Sequence, residues 1–324
     1  MKLSIGFDVS KATLDVAIFD GERTDHFAVE NGEKGFAEVL RTIKGNLAAE
    51  IVITMEATGV YHQRAADYFY KRGFNVQVVN PLIIKRYSEM KMLRAKTDAV
   101  DSRIIAKYGY YEAGTLYKKK PEKNLKIQGF LKAIDDLCQM KVQNKNRLEA
   151  LNQCSVEMKD IELMYQRIEN QIEGEILLME RELLLLAKEI SFETYQNLLS
   201  IPGIGKRIAP AIIGFFGQME DFETAKQLVC FIGINPSPKM SGTSVRGRGS
   251  ISRKGNGYLR KLLYMAALSA CKHNVSCNAL YHRLIGRGKA KKVALIAVSN
   301  KLVRQIFAVT KFERRYDPNF CAIS

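Results

Sequence analysis

Four carboxylates in the first third of the chain fall where strand-like runs end or helices open, the places from which acidic side chains converge. Asp8 lies in Ile5-Gly6-Phe7-Asp8-Val9-Ser10, and Glu56 directly follows the β-branched run Ile51–Met55. Asp98 and Asp101 share the segment Lys96-Thr97-Asp98-Ala99-Val100-Asp101. On a helix opening near Thr97 or Asp98, a three-residue spacing puts both carboxylates on one face close to the N-terminus. Clustered carboxylates repel one another unless a cation neutralises them. Oxygen donors in this number suit Mg²⁺ or Mn²⁺, and a pair of such ions stabilises the attacking and leaving oxygens of phosphoryl transfer. Singly, each piece also has a plain reading: Asp98 as a helix N-cap, Glu56 as a solvated residue after a strand.

A second constellation lies far downstream. Ser241-Gly242-Thr243-Ser244-Val245-Arg246-Gly247-Arg248-Gly249 joins three hydroxyls, three glycines and two arginines. Glycines let backbone N–H groups approach a phosphate, and guanidinium forks clamp its oxygens. A hydroxyl placed there is able to attack phosphorus, but His273 and His282 are remote in sequence, so activation falls to arginines, a metal or a distant carboxylate. The bland alternative is a solvated loop. Tyr258, Tyr264 and Tyr281 are rival nucleophiles that read better as core or interface residues.

The elements that must position these groups alternate in the N-terminal part. Leu3–Val9, Thr13–Phe19 and Thr24–Val29 read as a strand meander, followed by a helix over Lys34–Asn46 and a buried strand at Ile51–Met55. A helix over Tyr61–Arg72 closed by Gly73, then a strand over Phe74–Val79 halted by Asn80-Pro81, completes a βββαβαβα order. That order implies helices packed on a mixed sheet. Tyr117–Lys123, Lys-rich and carrying Pro121, reads as a linker. From about Asn124 to Ile190 the apolar residues Leu148, Leu151, Val156, Met158, Ile161, Met164, Ile168, Ile172, Ile176, Met179 and Leu183 recur at three and four spacing. This is long helix, either an intramolecular hairpin or a coiled-coil seam between two copies. Phe192–Phe312 reads as a mostly helical domain interrupted by a glycine-rich loop over residues 241–257, and the last dozen residues as a tail.

Charge is segregated between these parts. The chain carries a formal charge of +16, yet from Thr224 to Phe312 there is no Asp or Glu, where a random draw would supply about nine. The 17 Lys and Arg of that segment leave the remainder at −1. Like charges repel in a compact state, so such a run is tolerable where a polyanion supplies the counter-charge. Nucleic acid is the first reading, an anionic membrane surface the second, a merely soluble basic face the third. No apolar run is long enough to span a bilayer and no signal-like segment precedes Asp8, which leads to a cytoplasmic expectation. Cys138, Cys154, Cys230, Cys271, Cys277 and Cys321 form no CxxC pair and accompany only four histidines, so neither a disulfide framework nor a zinc knuckle is supported. The turn Leu198-Leu199-Ser200-Ile201-Pro202-Gly203-Ile204-Gly205-Lys206 has the look of a helix-hairpin-helix, whose amides meet phosphate without reading sequence, with a structural hairpin as its competitor. Lys206, Arg246, Arg248, Arg253, Lys254, Arg260, Lys261, Arg287, Lys291 and Lys292 are the candidate backbone contacts.

The strand order and acid positions resemble the ribonuclease-H-like fold with a DEDD set, as in RuvC-type junction nucleases. The opening Gly6-Phe7-Asp8-Val9-Ser10 with Asp15 is also similar to the first phosphate loop of sugar kinases and actin-like ATPases, but the second phosphate loop those need is not found. Gly6-Phe7-Asp8-Val9-Ser10-Lys11, Met55-Glu56-Ala57-Thr58-Gly59-Val60-Tyr61, Asn80-Pro81, Lys96-Thr97-Asp98-Ala99-Val100-Asp101, Ile201-Pro202-Gly203-Ile204-Gly205 and Ser241-Gly242-Thr243-Ser244-Val245-Arg246-Gly247 together resemble one family, over residues 3–312. It is the insertion-sequence family one-ten of DEDD transposases, relatives of Piv-type DNA invertases and now called bridge-RNA-guided serine recombinases. The resemblance implies a RuvC-like α/β domain over residues 1–116, a linker and coiled-coil arm over 117–191, a mostly helical C-terminal transposase domain over 192–312 and a tail over 313–324. It implies that Asp8, Glu56, Asp98 and Asp101 hold Mg²⁺ and that Ser241 forms a phosphoserine link to DNA. It further implies donor and target DNA and a noncoding bridge RNA as partners, homodimers pairing into a tetramer, and a nucleoid-associated location. A metal-dependent nuclease using water and a noncatalytic nucleic-acid scaffold are the alternatives that remain open.

Overall fold

The structure is a computed structural model that describes residues 2–43, 50–57, 59–92, 98–112, 114–216, 222–241, 245–252 and 255–318, with the side chains of residues 98, 99, 237–241 and 245–250 outside that description. The chain divides into two compact units, Met1–Lys119 and Lys120–Ser324.

In the first unit, β1 (Leu3–Val9), β2 (Thr13–Phe19) and β3 (Thr24–Glu30) form the meander, followed by α1 (Glu33–Thr42), β4 (Ile51–Glu56), α2 (His62–Tyr70), β5 (Asn75–Val79), α3 (Pro81–Met90) and α4 (Asp98–Tyr111). The sheet runs β3-β2-β1-β4-β5. Pairs β1/β2 and β2/β3 are antiparallel, while β1/β4 and β4/β5 are parallel, so the two later strands arrive through helical crossovers. Alternation along β1 sorts its side chains. Ile5, Phe7 and Val9 join Ile51, Ile53 and Met55 of β4 in a core closed by Phe36 and Val39 of α1 and Ala65, Ala66 and Phe69 of α2. The opposite face, built on Ser4, Gly6 and Asp8, receives α4 instead.

That second contact requires an almost bare strand. A Cβ on Gly6 would stand 2.3 Å from both the Ala106 nitrogen and the Ser102 carbonyl oxygen, and one on Gly109 would stand 2.1 Å from Thr54 Oγ1. Ser4 Oγ, fully buried, donates to the Ala106 carbonyl at 2.7 Å. Helix α3 opens as Asn80-Pro81 predicts: the Asn80 side chain caps the Leu82 amide at 2.9 Å and Pro81 occupies the first turn.

The second unit opens with α5 (Glu122–Leu151) and α6 (Lys159–Leu199), followed by α7 (Ile208–Phe216), α8 (Ala225–Ile232), β6 (Pro236–Ser241), β7 (Val245–Ile251), α9 (Gly257–His273), α10 (Val275–Gly286) and α11 (Lys291–Lys311). Of the two sequence options for the long helical region, α5 and α6 take the hairpin within one chain. Lys123 meets Glu189 at 3.2 Å, Lys141 pairs with Glu173, and the buried Asn144 side chain donates to the Tyr165 carbonyl at 2.8 Å. The apolar series divides along the hairpin. Ile172, Ile176 and Leu183 enter a core shared with α7 to α11, whereas Val156, Met158, Ile161, Met164 and Ile168 toward the tip are exposed. The separate arm expected over residues 117–191 is therefore merged at its base with the helices that follow, and α6 continues through a break at Ser191 (φ −160°, ψ 104°) to Leu199.

Two further expectations are corrected. The stretch over 241–257 expected as a loop contains β7, which pairs antiparallel with β6 just before it, because Val245, Gly247, Gly249 and Ile251 alternate with Arg246, Arg248 and Ser250 at strand period. The segment expected as a tail begins with ordered chain, since the Tyr316 amide donates to Ser200 Oγ at 2.7 Å. Helix α11 is long and apolar enough by composition to cross a bilayer, but its Leu295, Val298, Leu302, Val303 and Ile306 supply the core of this unit.

Gly6→Ala should destabilise the first unit by about 3 kcal/mol, because the new methyl meets backbone atoms that move only with α4. Gly129→Ala on α5, where the added Cβ meets nothing within 4 Å, should instead stabilise by up to about 1 kcal/mol. Urea denaturation of the two variants against wild type reads both signs.

Candidate active site and nucleic-acid interface

The close packing of α4 decides where its acids go. Gly109 lies against Ser4 and Thr54, and Ala106 and Ser102 lie against Gly6, so α4 runs opposite to β1. Two strand residues advance about 6.6 Å, the rise of about four helical residues. Moving on from Gly6 to Asp8 therefore brings the first turn of α4, Asp98 to Asp101, to the carboxyl ends of β1 and β4. Glu56 ends β4, one residue beyond the Phe7/Met55 pair that closes the parallel register, and so stands level with Asp8 on the neighbouring strand.

Electrostatics agrees with this placement. The Glu56 carboxyl is pushed above its usual range, first by burial and then by the negative charge of Asp101. Asp8 and Asp101 are both partly buried. Asp98 is the first residue of α4, and its side chain lies outside the described residues. Among the described residues no group of three or more His, Cys, Asp or Glu is close enough to hold an ion by itself. The donor chemistry nevertheless suits a hard divalent cation: carboxylates only, two of them close enough to resist joint ionisation.

One neighbour was not anticipated from sequence. Asp15 stands opposite Asp8 in the β1/β2 register, and His26 of β3 hydrogen-bonds to it at 3.0 Å. Directly opposed residues share a face of the sheet, so this pair extends the acidic row by one strand. Its signal was present as period-two alternation, with Asp15 and His26 both facing the α4 side once the meander register is set. Asn31, whose side chain donates to the Ser10 carbonyl at 2.8 Å and the Tyr61 carbonyl at 3.4 Å, ties together the loops that follow β1 and β4.

In the second unit Ser241 is the last residue of β6 and pairs with Val245, while Met240 pairs with Arg246 and Lys239 with Gly247. Arg248 continues β7; the side chains of Ser241, Arg246 and Arg248, and the whole of Arg253 and Lys254, lie outside the described residues. Lys206, Arg287, Lys291 and Lys292 are exposed. Arg260 and Lys261 both have structural partners, Arg260 half-buried and Lys261 still exposed. Arg260 Nη1 donates to the Ile232 carbonyl at 2.9 Å, closing the end of α8, and Lys261 pairs with Asp135 of α5. The helix-hairpin-helix-like turn packs Ile201 and Ile204 into the core and sets Gly203, at φ +106°, against Ala270 of α9. Tyr258 donates to the Leu131 carbonyl at 3.2 Å, and burial pushes its phenol up to about 12, a poor nucleophile at neutral pH. Tyr264 and Tyr281 pack against the same core.

Residues 5–154 match a transposase family model of the DEDD type defined on IS110, and residues 195–282 match a second model, described as transposase IS116/IS110/IS902 family. The chain belongs to the IS110 family of DEDD transposases. The first match contains all four acids and the second contains Ser241. Pilin gene-inverting proteins of Moraxella lacunata and Moraxella bovis are each 27% identical over 320 residues, 98% of this chain and 98% of theirs. The transposase for insertion sequence element IS1111A of Coxiella burnetii is 24% identical over 298 residues, 82% of this chain and 79% of its own. The chain is accordingly a DNA recombinase of the transposase class, a setting in which the acid-free basic segment has a polyanion to meet.

Because Glu56 binds its proton more tightly when folded than when unfolded, its contribution to stability is full below the unfolded value of 4.5 and is lost as pH rises through the raised folded value. Asp101→Asn should move the Glu56 titration downward, leaving only the burial part of the shift, and should shrink that alkaline loss. Carboxyl-carbon NMR titration of Glu56 in wild type and variant measures the shift.

Proposed function

We propose that this transposase exchanges DNA strands through a covalent phosphoserine intermediate at Ser241, with Mg²⁺ or Mn²⁺ at the acidic row and a noncoding bridge RNA choosing donor and target. The single observation that carries the reading is the seating of α4 on β1 and β4, which brings Asp101 within electrostatic reach of Glu56 beside Asp8. The sheet order β3-β2-β1-β4-β5 supports assigning the first unit to the RuvC-like, ribonuclease-H-like fold, and the α5/α6 hairpin supports the arm of that architecture. Asp8, Glu56, Asp98 and Asp101 are the residues that would hold the ion. When bound, it supplies charge neutralisation at a phosphate whose oxygens change partners.

Every other step belongs to side chains of this chain and to DNA. The Ser241 hydroxyl oxygen bonds to phosphorus as the bond to one DNA oxygen breaks, and the serine proton ends on that leaving hydroxyl. A hydroxyl of the exchanged strand later attacks the serine ester, restoring Ser241 and a DNA phosphodiester. One ester replaces another in each half, so no nucleotide triphosphate is consumed. Arg246 and Arg248, two and four residues after Ser244, are the candidate clamps on the phosphate. The names of the gene-inverting relatives and of the IS1111A transposase fit the same exchange read as inversion or as insertion. Dimers pairing into a tetramer would let the acidic row and the serine come from different copies.

Ser241→Ala should abolish covalent protein–DNA adducts on a suicide substrate while binding survives, and Asp8→Asn or Asp101→Asn should abolish both adducts and cleavage. A denaturing gel after incubation with Mg²⁺, substrate DNA and the RNA encoded beside the gene resolves these outcomes. Adducts that persist in Ser241→Ala would move the nucleophile elsewhere. Free broken ends with no adduct would replace the serine by water.

A further inference from the structure

The polypeptide beyond α11 returns across its own helix and leaves a cavity of about 430 Å³, in the size range of ligand sites. One wall is a face of α11: Lys301, Arg304, Gln305, Ala308 and Val309 recur at the spacing that places residues on one side of a helix. The facing wall is the segment Arg314 to Pro318, and Ser276 in the first turn of α10 closes the end.

A part-buried polar network centred on the buried Asn274 fixes these walls. The Tyr316 amide donates to Ser200 Oγ at 2.7 Å, and its hydroxyl donates to Asn274 Oδ1 at 3.2 Å. The Asn274 side chain, only 1% exposed, caps α10 at the Cys277 amide and donates to Gln305 Oε1 at 3.1 Å and the Pro202 carbonyl at 3.3 Å. Gln305 in turn donates to Ser276 Oγ at 2.9 Å. These bonds join four separate stretches of chain, so the groove is built into the unit and is no accident of a frayed end.

Its charge identifies the occupant. Lys301, Arg304, Arg314 and Arg315 line it against a single carboxylate, Asp317. Between the cations lie Ala308, Val309 and Pro318, small or apolar surface on which a sugar can rest. Alternating anionic and less polar units are the chemistry of a nucleic-acid backbone, and guanidinium groups bind its phosphates in two-point fashion. We infer that the groove between α11 and residues 314–318 is a phosphodiester-backbone site, one that holds a strand in register without reading its bases. The inference rests on the DNA-recombinase reading of the chain and adds to it a site outside both the acidic row and the serine hairpin.

The test is a salt series of fluorescence anisotropy on the full-length protein, with a mixed-sequence DNA duplex and, separately, an RNA hairpin as probes. Lys301→Ala/Arg304→Ala and, on the other wall, Arg315→Ala should each weaken binding, and the slope of log affinity against log salt should become shallower by about 0.9 for each duplex phosphate contact removed, or about 0.7 on single strands. Lys34→Ala, an exposed cation on α1, should leave both slopes unchanged. A change confined to the duplex assigns the groove to DNA, and a change confined to the hairpin assigns it to RNA. Slopes and affinities unchanged for both probes in the groove variants would overturn the proposal. Arg315→Ala decides the matter if the double variant melts early, since Arg315 is exposed. Adduct formation by wild type on the suicide substrate is followed in parallel. Its failure would overturn the serine mechanism and leave the salt slopes to judge the groove.

Discussion

Everything at the acidic row depends on how closely a helix can approach a strand. Helix α4 reaches the sheet because Gly6 and Gly109 present no side chain at the two points of contact, and the buried Ser4 hydroxyl finds its acceptor in the Ala106 carbonyl of the arriving helix. With that seat fixed, helical and strand rises are enough to carry the first turn of α4 to the ends of β1 and β4. The acids therefore owe their proximity to residues that take no part in chemistry. A helix held off by one methyl group would keep every carboxylate and lose their convergence.

The same constraint sets two acids against each other. Glu56 is raised both by burial and by Asp101, so the fold accepts two groups that disfavour each other's ionisation. Such an arrangement lowers stability at neutral pH and would be relieved by a bound cation. The basic segment of the second unit has the mirror-image problem, 17 cations without an acid of its own between Thr224 and Phe312. Part of its charge is spent internally: Lys261 meets Asp135 from another helix, and Arg260 caps α8 through the Ile232 carbonyl. Charge counted in sequence thus overstates the charge offered to a partner.

Much of the first unit was legible because its cues are local. Strand alternation, the Asn80-Pro81 helix start and the β-branched run before Glu56 each act over a few residues, and the meander and its crossovers fall where those cues place them. Helix spacing put Asp98 and Asp101 on one face, but the proximity of Asp101 to Glu56 depends on the non-local seat at Gly6, which no window of residues contains. His26 was missed for the same reason: its partner Asp15 is a neighbour only through the β2/β3 register. In the second unit, glycines in Arg246-Gly247-Arg248-Gly249 masked a period-two strand and made a hairpin look like a loop. The apolar series over Leu148–Leu183 could not distinguish a hairpin from a seam between copies, because both bury the same spacing.

Residues 313–318 show how a short polar segment gains a role that composition conceals. It contains Arg314, Arg315 and Asp317, a pattern that reads as solvated tail, and only Tyr316 carries the information that it folds back. A tyrosine buries an aromatic body while its hydroxyl seeks a partner, and here both the hydroxyl and the backbone amide find partners that are themselves fixed by Asn274 and the turn after α6. The turn after α6 takes part in this anchoring, with Ile201 and Ile204 in the core and Ser200 holding the returning chain. The two chain segments that carry the cations are then held at a spacing set by part-buried hydrogen bonds. Preorganised cations lose less freedom on meeting a phosphate than cations on a loose tail, so the same four residues bind a backbone better when Tyr316 is docked than when it is free.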